Sequence, residues 1–169
     1  MMEKNNEHAH RIIEKVSFGL IVTSDKVFRG EKEDRITPLV YELVREHGFQ
    51  LTYKTIVPNN FDRILEETKK ALKYSDAILI TGGTGLSSKD LIIDVIDSFN
   101  GIDIPGFGEL FRMLSWSEVG ARAWISRAKA RAVNNRILFA LPGSPNAVKL
   151  ALEKLILPVI AHLLWELRH

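Results

Sequence analysis

Short apolar runs alternate with helical periodicities along most of the chain. Ser17 to Thr23, SFGLIVT, is nearly all apolar and reads as a strand buried on both faces of a parallel sheet. After a polar stretch from Ser24 to Asp34, Pro38 fits the first turn of a helix capped by Thr37. Leu39, Leu43, Val44 and His47 keep the 3.6-residue period until Gly48 ends it. Gln50 to Val57 reads as a second strand. Asn59 with Asp62 offers a capping arrangement for a helix whose stripe is Phe61, Ile64, Leu65, Thr68 and Leu72. A third buried strand, Ala77 to Thr81, runs straight into the glycine loop Gly82 to Gly85. Helical signals return at Asp90 to Phe99, GIDIPGFG breaks them, and Glu109 to Arg131 reads as two helical pieces. Arg136 to Leu141 is a fourth strand, followed by PGSP and a closing helix from Asn146 that Pro158 should bend.

This order predicts an α/β fold: a three-layer, open, mostly parallel sheet with helices on both faces. Right-handed crossovers bring its functional loops to the carboxyl edge of the strands. No internal repeat or linker divides the chain, so residues 16–169 are expected to form one domain behind a flexible N-terminal tail, residues 1–15. The closing helix is apolar nearly all round, from Ala147 and Val148 to Leu164 and Leu167, whereas one sheet face accepts one stripe. The surplus predicts a subunit contact and therefore a homo-oligomer.

Composition narrows the function classes. With 169 residues and 46 % hydrophobic content the chain has enough core for one domain. It has no cysteine, which excludes disulfides, thiolate metal sites and cysteine nucleophiles. No apolar run approaches the roughly 20 residues of a spanning helix, and the first residues lack a signal-peptide core, so no membrane and a cytoplasmic location are expected. Net charge is only +2, but residues 112–169 carry 9 basic and 3 acidic groups. The basic stretch includes Arg122, Arg127, Lys129, Arg131 and Arg136 and reads either as an anion site or as a solvated basic face. Only Trp124 lies among these cations, so no nucleic-acid partner is expected.

Candidate chemistry gathers in two loops. TGGTG, Thr81 to Gly85, follows a buried strand, where small residues let backbone N–H groups converge on an anion; the competing reading is a tight structural turn. It is neither GxxxxGK nor GxGxxG. PGSP, Pro142 to Pro145, follows another strand, and Ser144 there can cap the next helix or donate to a ligand oxygen. Asp90, five residues beyond Gly85, either caps a helix or holds Mg²⁺ against phosphates, and Asp25 and Asp34 are similarly open. No histidine has zinc-ligand spacing, and no GxSxG elbow is present.

GLIVTSD, ILITGGTGLSSKD, IPGFGELFRMLS, SRA and LFALPGSPNAV resemble, in order and spacing, the MoaB/MogA family of molybdenum-cofactor biosynthesis proteins, the MoaB branch most closely. The resemblance implies a molybdopterin-binding α/β fold, trimers or hexamers, and Mg²⁺- and ATP-dependent adenylylation of molybdopterin with release of pyrophosphate. It further implies a later-acting molybdenum-cofactor enzyme as a possible partner. By motif, Thr81, Gly82, Gly83, Thr84 and Gly85 become the phosphate cradle, and Asp90 the catalytic acid beside metal and nucleotide. Gly143 and Ser144 join the second ligand loop, with Ser24 and Asp25 beneath the pterin or nucleotide. Glu109 and Arg112 match positions that shape or contact the pocket.

The chain also departs from that pattern. Asn59, after Val57 and Pro58, stands at a catalytic position where strongly active members have aspartate, and an amide has no charge to hold Mg²⁺. Asp62 is one helical turn further on. Lys89 replaces an arginine, Ile92 and Ile93 replace Thr-Pro, Arg131 replaces a glycine, and the segment around Asp34 lacks its glycine. Two functions are therefore expected as alternatives: a molybdopterin adenylyltransferase, or an oligomeric molybdopterin-binding protein with little or no transferase activity.

Overall fold

The computed structural model describes residues 15–169, so the tail expected over residues 1–15 lies outside the described chain except for Lys15. In chain order the elements are β1 (Ser17–Thr23), the single turn α1 (Asp25–Phe28), α2 (Ile36–Glu46), β2 (Gln50–Val57), α3 (Phe61–Tyr74) and β3 (Ala77–Gly82). There follow α4 (Ile92–Asp97), β4 (Ile102–Asp103), α5 (Pro105–Val119), a 3₁₀ segment (Gly120–Ile125), β5 (Lys129–Val133), β6 (Arg136–Pro142), α6 (Pro145–Ala151) and α7 (Ile160–Arg168).

The strands form one sheet in the order β2-β1-β3-β6-β5-β4. The pairs β1/β2, β1/β3 and β3/β6 are parallel, while β5 runs antiparallel to both of its neighbours. Alternation along the central strands feeds two cores. Phe18, Leu20, Leu79, Phe139 and Leu141 meet α2, α5, α6 and α7 on one face. Ile21, Ile78, Ile80 and Leu138 meet α3 and α4 on the other. The three-layer α/β architecture follows from these two stripes per strand.

Several sequence expectations need correction. The segment Glu109–Arg131 holds the two expected helical pieces, the body of α5, which begins at Pro105, and the 3₁₀ segment, but its end is not helical: Lys129–Val133 is a strand. Its Ala130 and Ala132 face the interior, whereas Lys129 and Arg131 lie outward, so small inward residues hid the alternation. The turn to β6 is Asn134-Asn135, both at positive φ, a pair that suits a two-residue hairpin turn. Helix α2 is capped by Asp34, whose Oδ1 accepts the N–H groups of Ile36 and Thr37, and Thr37 lies inside the helix. Asn60, rather than Asn59 with Asp62, caps α3 by accepting the Arg63 N–H.

The closing helix breaks as Pro158 requires. A π turn at Leu152–Ile156 ends with the Leu157 N–H on the Leu152 carbonyl, and α7 starts afresh at Ile160. Most of its apolar side chains are buried or half-buried against the core that also holds α2. The apolar surplus therefore does not sit on this helix. It sits on α5 and the 3₁₀ segment, where Met113, Trp116 and Trp124 are 63, 61 and 71 % exposed. Among the described residues no helix is long and apolar enough to cross a membrane.

Asp76, just before β3, fastens the amino end of β1 to the last helix. Its Oδ2 accepts the N–H and hydroxyl of Ser17 at 3.0 and 2.7 Å, and Arg168 Nη2 donates to Oδ1 at 2.5 Å. Burial raises its pKa, but these donors outweigh burial and hold the carboxyl below its ordinary value. Asp76→Asn should lower stability at neutral pH by about 1–2 kcal/mol in urea unfolding. A depressed folded-state pKa stabilises above the unfolded value of 3.8 and ceases to do so as pH falls through the folded value. The gap between parent and variant should accordingly be full at neutral pH and close in acid. A gap that persists unchanged below the folded value would contradict the assignment.

Candidate functional site

The chain leaves β1 through α2 to one neighbour and reaches β3 through α3 on the other, so β1 and β3 flank a topological switch point. Open α/β sheets present a crevice at the carboxyl ends of such strands. A cleft of about 560 Å³ lies there, lined by Thr23 and Ser24 from the end of β1, Asn59 after β2, Thr81 to Gly83 at the end of β3, Asp90, and Gly143 after β6.

Close backbone approach shapes this cleft. Gly82 has φ +132°, and a Cβ there would sit 2.1 Å from Thr23 Oγ1 and 2.5 Å from the Thr23 carbonyl oxygen. Only glycine is accommodated. A Cβ at Gly83 would stand 2.7 Å from Asp90 Cα, so the loop folds directly onto the acid. The Thr23 hydroxyl donates to the Thr81 carbonyl at 2.9 Å. Thr81 Oγ1 is buried without a hydrogen-bond partner, although its residue lines the cleft. An orphaned buried hydroxyl is rare in a folded chain and marks this end of β3 as a place where a polar partner would be accommodated.

Asp90 is not the cap of α4. Its Oδ2 accepts the Ser87 N–H at 2.8 Å, closing the loop on itself, while Oδ1 has no partner among the described residues. Ser24 caps α1 by accepting the Val27 N–H at 3.3 Å and also lines the cleft. Asp25 stands behind that wall, where its Oδ1 accepts the Asn59 N–H at 2.9 Å and Lys89 lies 3.8 Å away. The Asn59 hydrogen bonds, then the Lys89 charge, hold the Asp25 carboxyl below its usual range. Because Asn60 takes the capping role, Asn59 is left at the cleft wall; Asp62 lies outside that wall on exposed α3 surface.

The sequence-predicted residues thus divide. Ser24, Asn59, Thr81, Gly82, Gly83, Asp90 and Gly143 converge on one cleft. Thr84 and Gly85 complete the loop behind it, with Thr84 buried. Ser144 accepts the Ala147 N–H at 3.2 Å as the cap of α6 and lines a neighbouring cavity with Arg122 and Asn146. Glu109 and Arg112 line a third cavity, and Arg112 is committed to the carbonyls of Ser126 and Ala128.

The basic stretch is not one face. Lys129 and Arg131 pair with Asp97 and Asp103, and Arg136 donates to the Ser75 carbonyl. Sequence reasoning missed two contributions. Lys32 and Arg35 reach the cleft from the long loop after α1 together with Glu33 and Asp34, Arg35 lying 3.6 Å from Glu33, and Arg127 binds the glycine loop from behind.

Among the described residues no three histidine, cysteine or acidic groups come together as a metal cage. A hard dication with few protein ligands is held through ligand phosphates, and Asp90 Oδ1 is the free carboxylate oxygen that suits it. The orphaned Thr81 hydroxyl and the glycine cradle fit phosphate oxygens in the same place.

Residues 19–162 match the family model described as a probable molybdopterin binding domain. The molybdenum cofactor biosynthesis protein B of Bacillus cereus is 35 % identical over 164 residues, 95 % of this chain and 96 % of its own length. Its Staphylococcus aureus counterpart is 50 % identical over 115 residues, 67 % of this chain and 68 % of that one. The crystal structure of the tungsten cofactor synthesizing protein MoaB from Pyrococcus furiosus superposes with a TM-score of 0.84 at 37 % identity, covering 92 % of this chain and 99 % of that one. A fold and a sequence that agree over nearly the whole domain make this chain a member of the MoaB/MogA family of molybdopterin-binding proteins.

Proposed function

We propose that the protein acts in molybdenum-cofactor biosynthesis as a cytoplasmic molybdopterin adenylyltransferase. The observation that carries this reading is the meeting of the TGGTG loop, the Gly143 loop and Asp90 at one switch-point cleft, with the Thr81 hydroxyl left unpartnered. A terminal phosphate oxygen of molybdopterin attacks the α-phosphorus of ATP; the bond to the bridging oxygen breaks and pyrophosphate leaves. Bound Mg²⁺ supplies charge neutralisation for the phosphates, and Asp90 is the residue that would hold it. The cleft contributes chiefly position: Gly82 and Gly83 let the backbone approach the phosphates, Ser24 and Asn59 form the opposite wall, and Lys32 is a cation within reach of the same space. The adenylylated product suits transfer to a later-acting molybdenum-cofactor enzyme.

Purified protein supplied with molybdopterin, ATP and Mg²⁺ should release pyrophosphate. Asp90→Asn should reduce that release about a hundredfold or more while the melting temperature stays near that of the parent. Activity retained by the variant would remove Asp90 from the metal site.

The uncharged Asn59 side chain at the cleft wall favours a second reading, a molybdopterin-binding protein that transfers AMP poorly. Asp25, whose carboxylate accepts the Asn59 N–H and is thereby held below its usual pKa, is the acid adjoining that position. Asn59→Asp should raise pyrophosphate release about tenfold or more, as expected for a regained charged contact. A measurable parent rate that does not change would mean that Asp25 already serves that charge.

The exposed face of α5 supports a homo-oligomer, a trimer or hexamer by family resemblance. Leu110, Met113, Trp116 and Val119 recur every third residue on its outer side, with Trp124 and Ile125 continuing the patch. An exposed run of that kind suits a second copy of this chain. In sedimentation at low micromolar concentration the parent should run as an oligomer, and Trp116→Glu should shift it toward 19.1 kDa. A parent that sediments as a monomer contradicts this.

A further inference from the structure

The glycine loop takes its shape from a side chain outside the cleft. Arg127, between the 3₁₀ segment and β5, lines a cavity that shares no wall residue with the cleft. It grips the loop three times. Its backbone N–H donates to the Thr84 carbonyl at 2.9 Å, Nε to the Gly85 carbonyl at 2.9 Å, and Nη2 to the Asp90 carbonyl at 3.0 Å. The remaining hydrogen bonds of the tip are local, from Ser87 to Asp90 Oδ2, Lys89 to Ser87 Oγ and Asp90 to the Ser87 carbonyl. Among the described residues, Arg127 makes the only side-chain hydrogen bonds that join residues 84–90 to another element.

The geometry of the peptide group turns this grip into a functional statement. None of the described peptide bonds is cis, so each C=O points opposite to the N–H that follows it. Drawing the carbonyls of Thr84, Gly85 and Asp90 toward Arg127 turns the N–H groups of Gly85, Leu86 and Leu91 away from it. None of these three N–H groups has a partner among the described residues. Gly85, Leu86 and Leu91 are not wall residues of the cleft; the loop residues that are, Gly83 and Asp90, stand at or next to the carbonyls that Arg127 holds. The two side-chain bonds also span the loop, one on each limb, which a planar guanidinium can do and a point-like ammonium cannot.

We propose that Arg127 is the positioning residue of the anion cradle: by fixing the carbonyls of Thr84, Gly85 and Asp90 it holds the loop backbone that carries Gly83 and Asp90 into the cleft wall. The proposal rests on reading the cleft as a phosphate site. Its ligand class is a nucleotide or phosphorylated pterin, for which inorganic pyrophosphate is a sufficient probe. Arg127 acts through the loop and does not touch the ligand.

Arg127→Met keeps much of the stem and removes the fork; Arg127→Lys keeps the charge. Hydrogen exchange at the hydrogen-bonded amides of Thr84, Ser87 and Asp90 reports loop order, and calorimetric titration with pyrophosphate reports the cradle. In both variants exchange at these amides should rise about tenfold, with β1 and β3 as protected as in the parent, and pyrophosphate should bind about tenfold more weakly. Parent-like exchange and affinity in Arg127→Met, or full restoration by Arg127→Lys, would overturn the proposal, the latter by reducing the residue to a charge. If the parent binds no pyrophosphate although the loop loosens in both variants, the phosphate reading of the cleft fails and the cradle proposal fails with it, while the loop-ordering role of Arg127 is separately established.

Discussion

The approach of two backbones at the carboxyl ends of β1 and β3 governs the rest of this molecule. Gly82 lies so near Thr23 that no side chain fits between them, and the Thr23 hydroxyl is spent on the Thr81 carbonyl. That contact brings the ends of two parallel strands together at the switch point and exposes the peptide groups that follow. Gly83 then passes over Asp90, and Gly143 closes from β6 with a position for Cβ only 3.2 Å from Gly82 Cα. Three chain segments become one concave surface because a glycine stands on at least one side of each contact.

Charge is distributed around this surface with little waste. Most cations that look clustered along the sequence are used elsewhere: Lys129 and Arg131 hold the acidic pair Asp97 and Asp103 at the β4 edge, and Arg136 binds the Ser75 carbonyl. The cations at the cleft come instead from Lys32 and Arg35, in a loop that also brings Glu33 and Asp34 to the same wall.

The fold was legible wherever burial imposed a period. SFGLIVT, AILIT and RILFAL are buried on both faces and announce themselves as strands, and the helices between them show one apolar stripe each. Strand β5 was not legible, because KARAV buries alanines, whose side chains are too small to mark a face, and its turn uses two asparagines where glycine is the stronger signal. The capping residues were displaced for a similar reason: Asp34 and Asn60 each stand beside another plausible cap, and only the backbone trajectory chooses between neighbours. At the site, TGGTG, Asn59, Asp90 and Gly143 were recoverable because their residue types constrain the backbone or stand beside it. Arg127 was hidden among other basic residues, since its role depends on a sequence separation of about forty residues that no local pattern encodes.

The central claim is that this switch-point cleft receives phosphate oxygens on the glycine loop. Amide resonances of the eleven glycines, followed during titration with Mg-ATP, test it most directly because glycines line the cleft and also occur far from it. The account predicts progressive shifts at Gly82, Gly83, Gly85 and Gly143, with Gly30, Gly48 and Gly101 unmoved. Shifts confined to Gly106 and Gly108, beside the cavity of Glu109 and Arg112, would contradict it and move the binding site to the other side of Arg127.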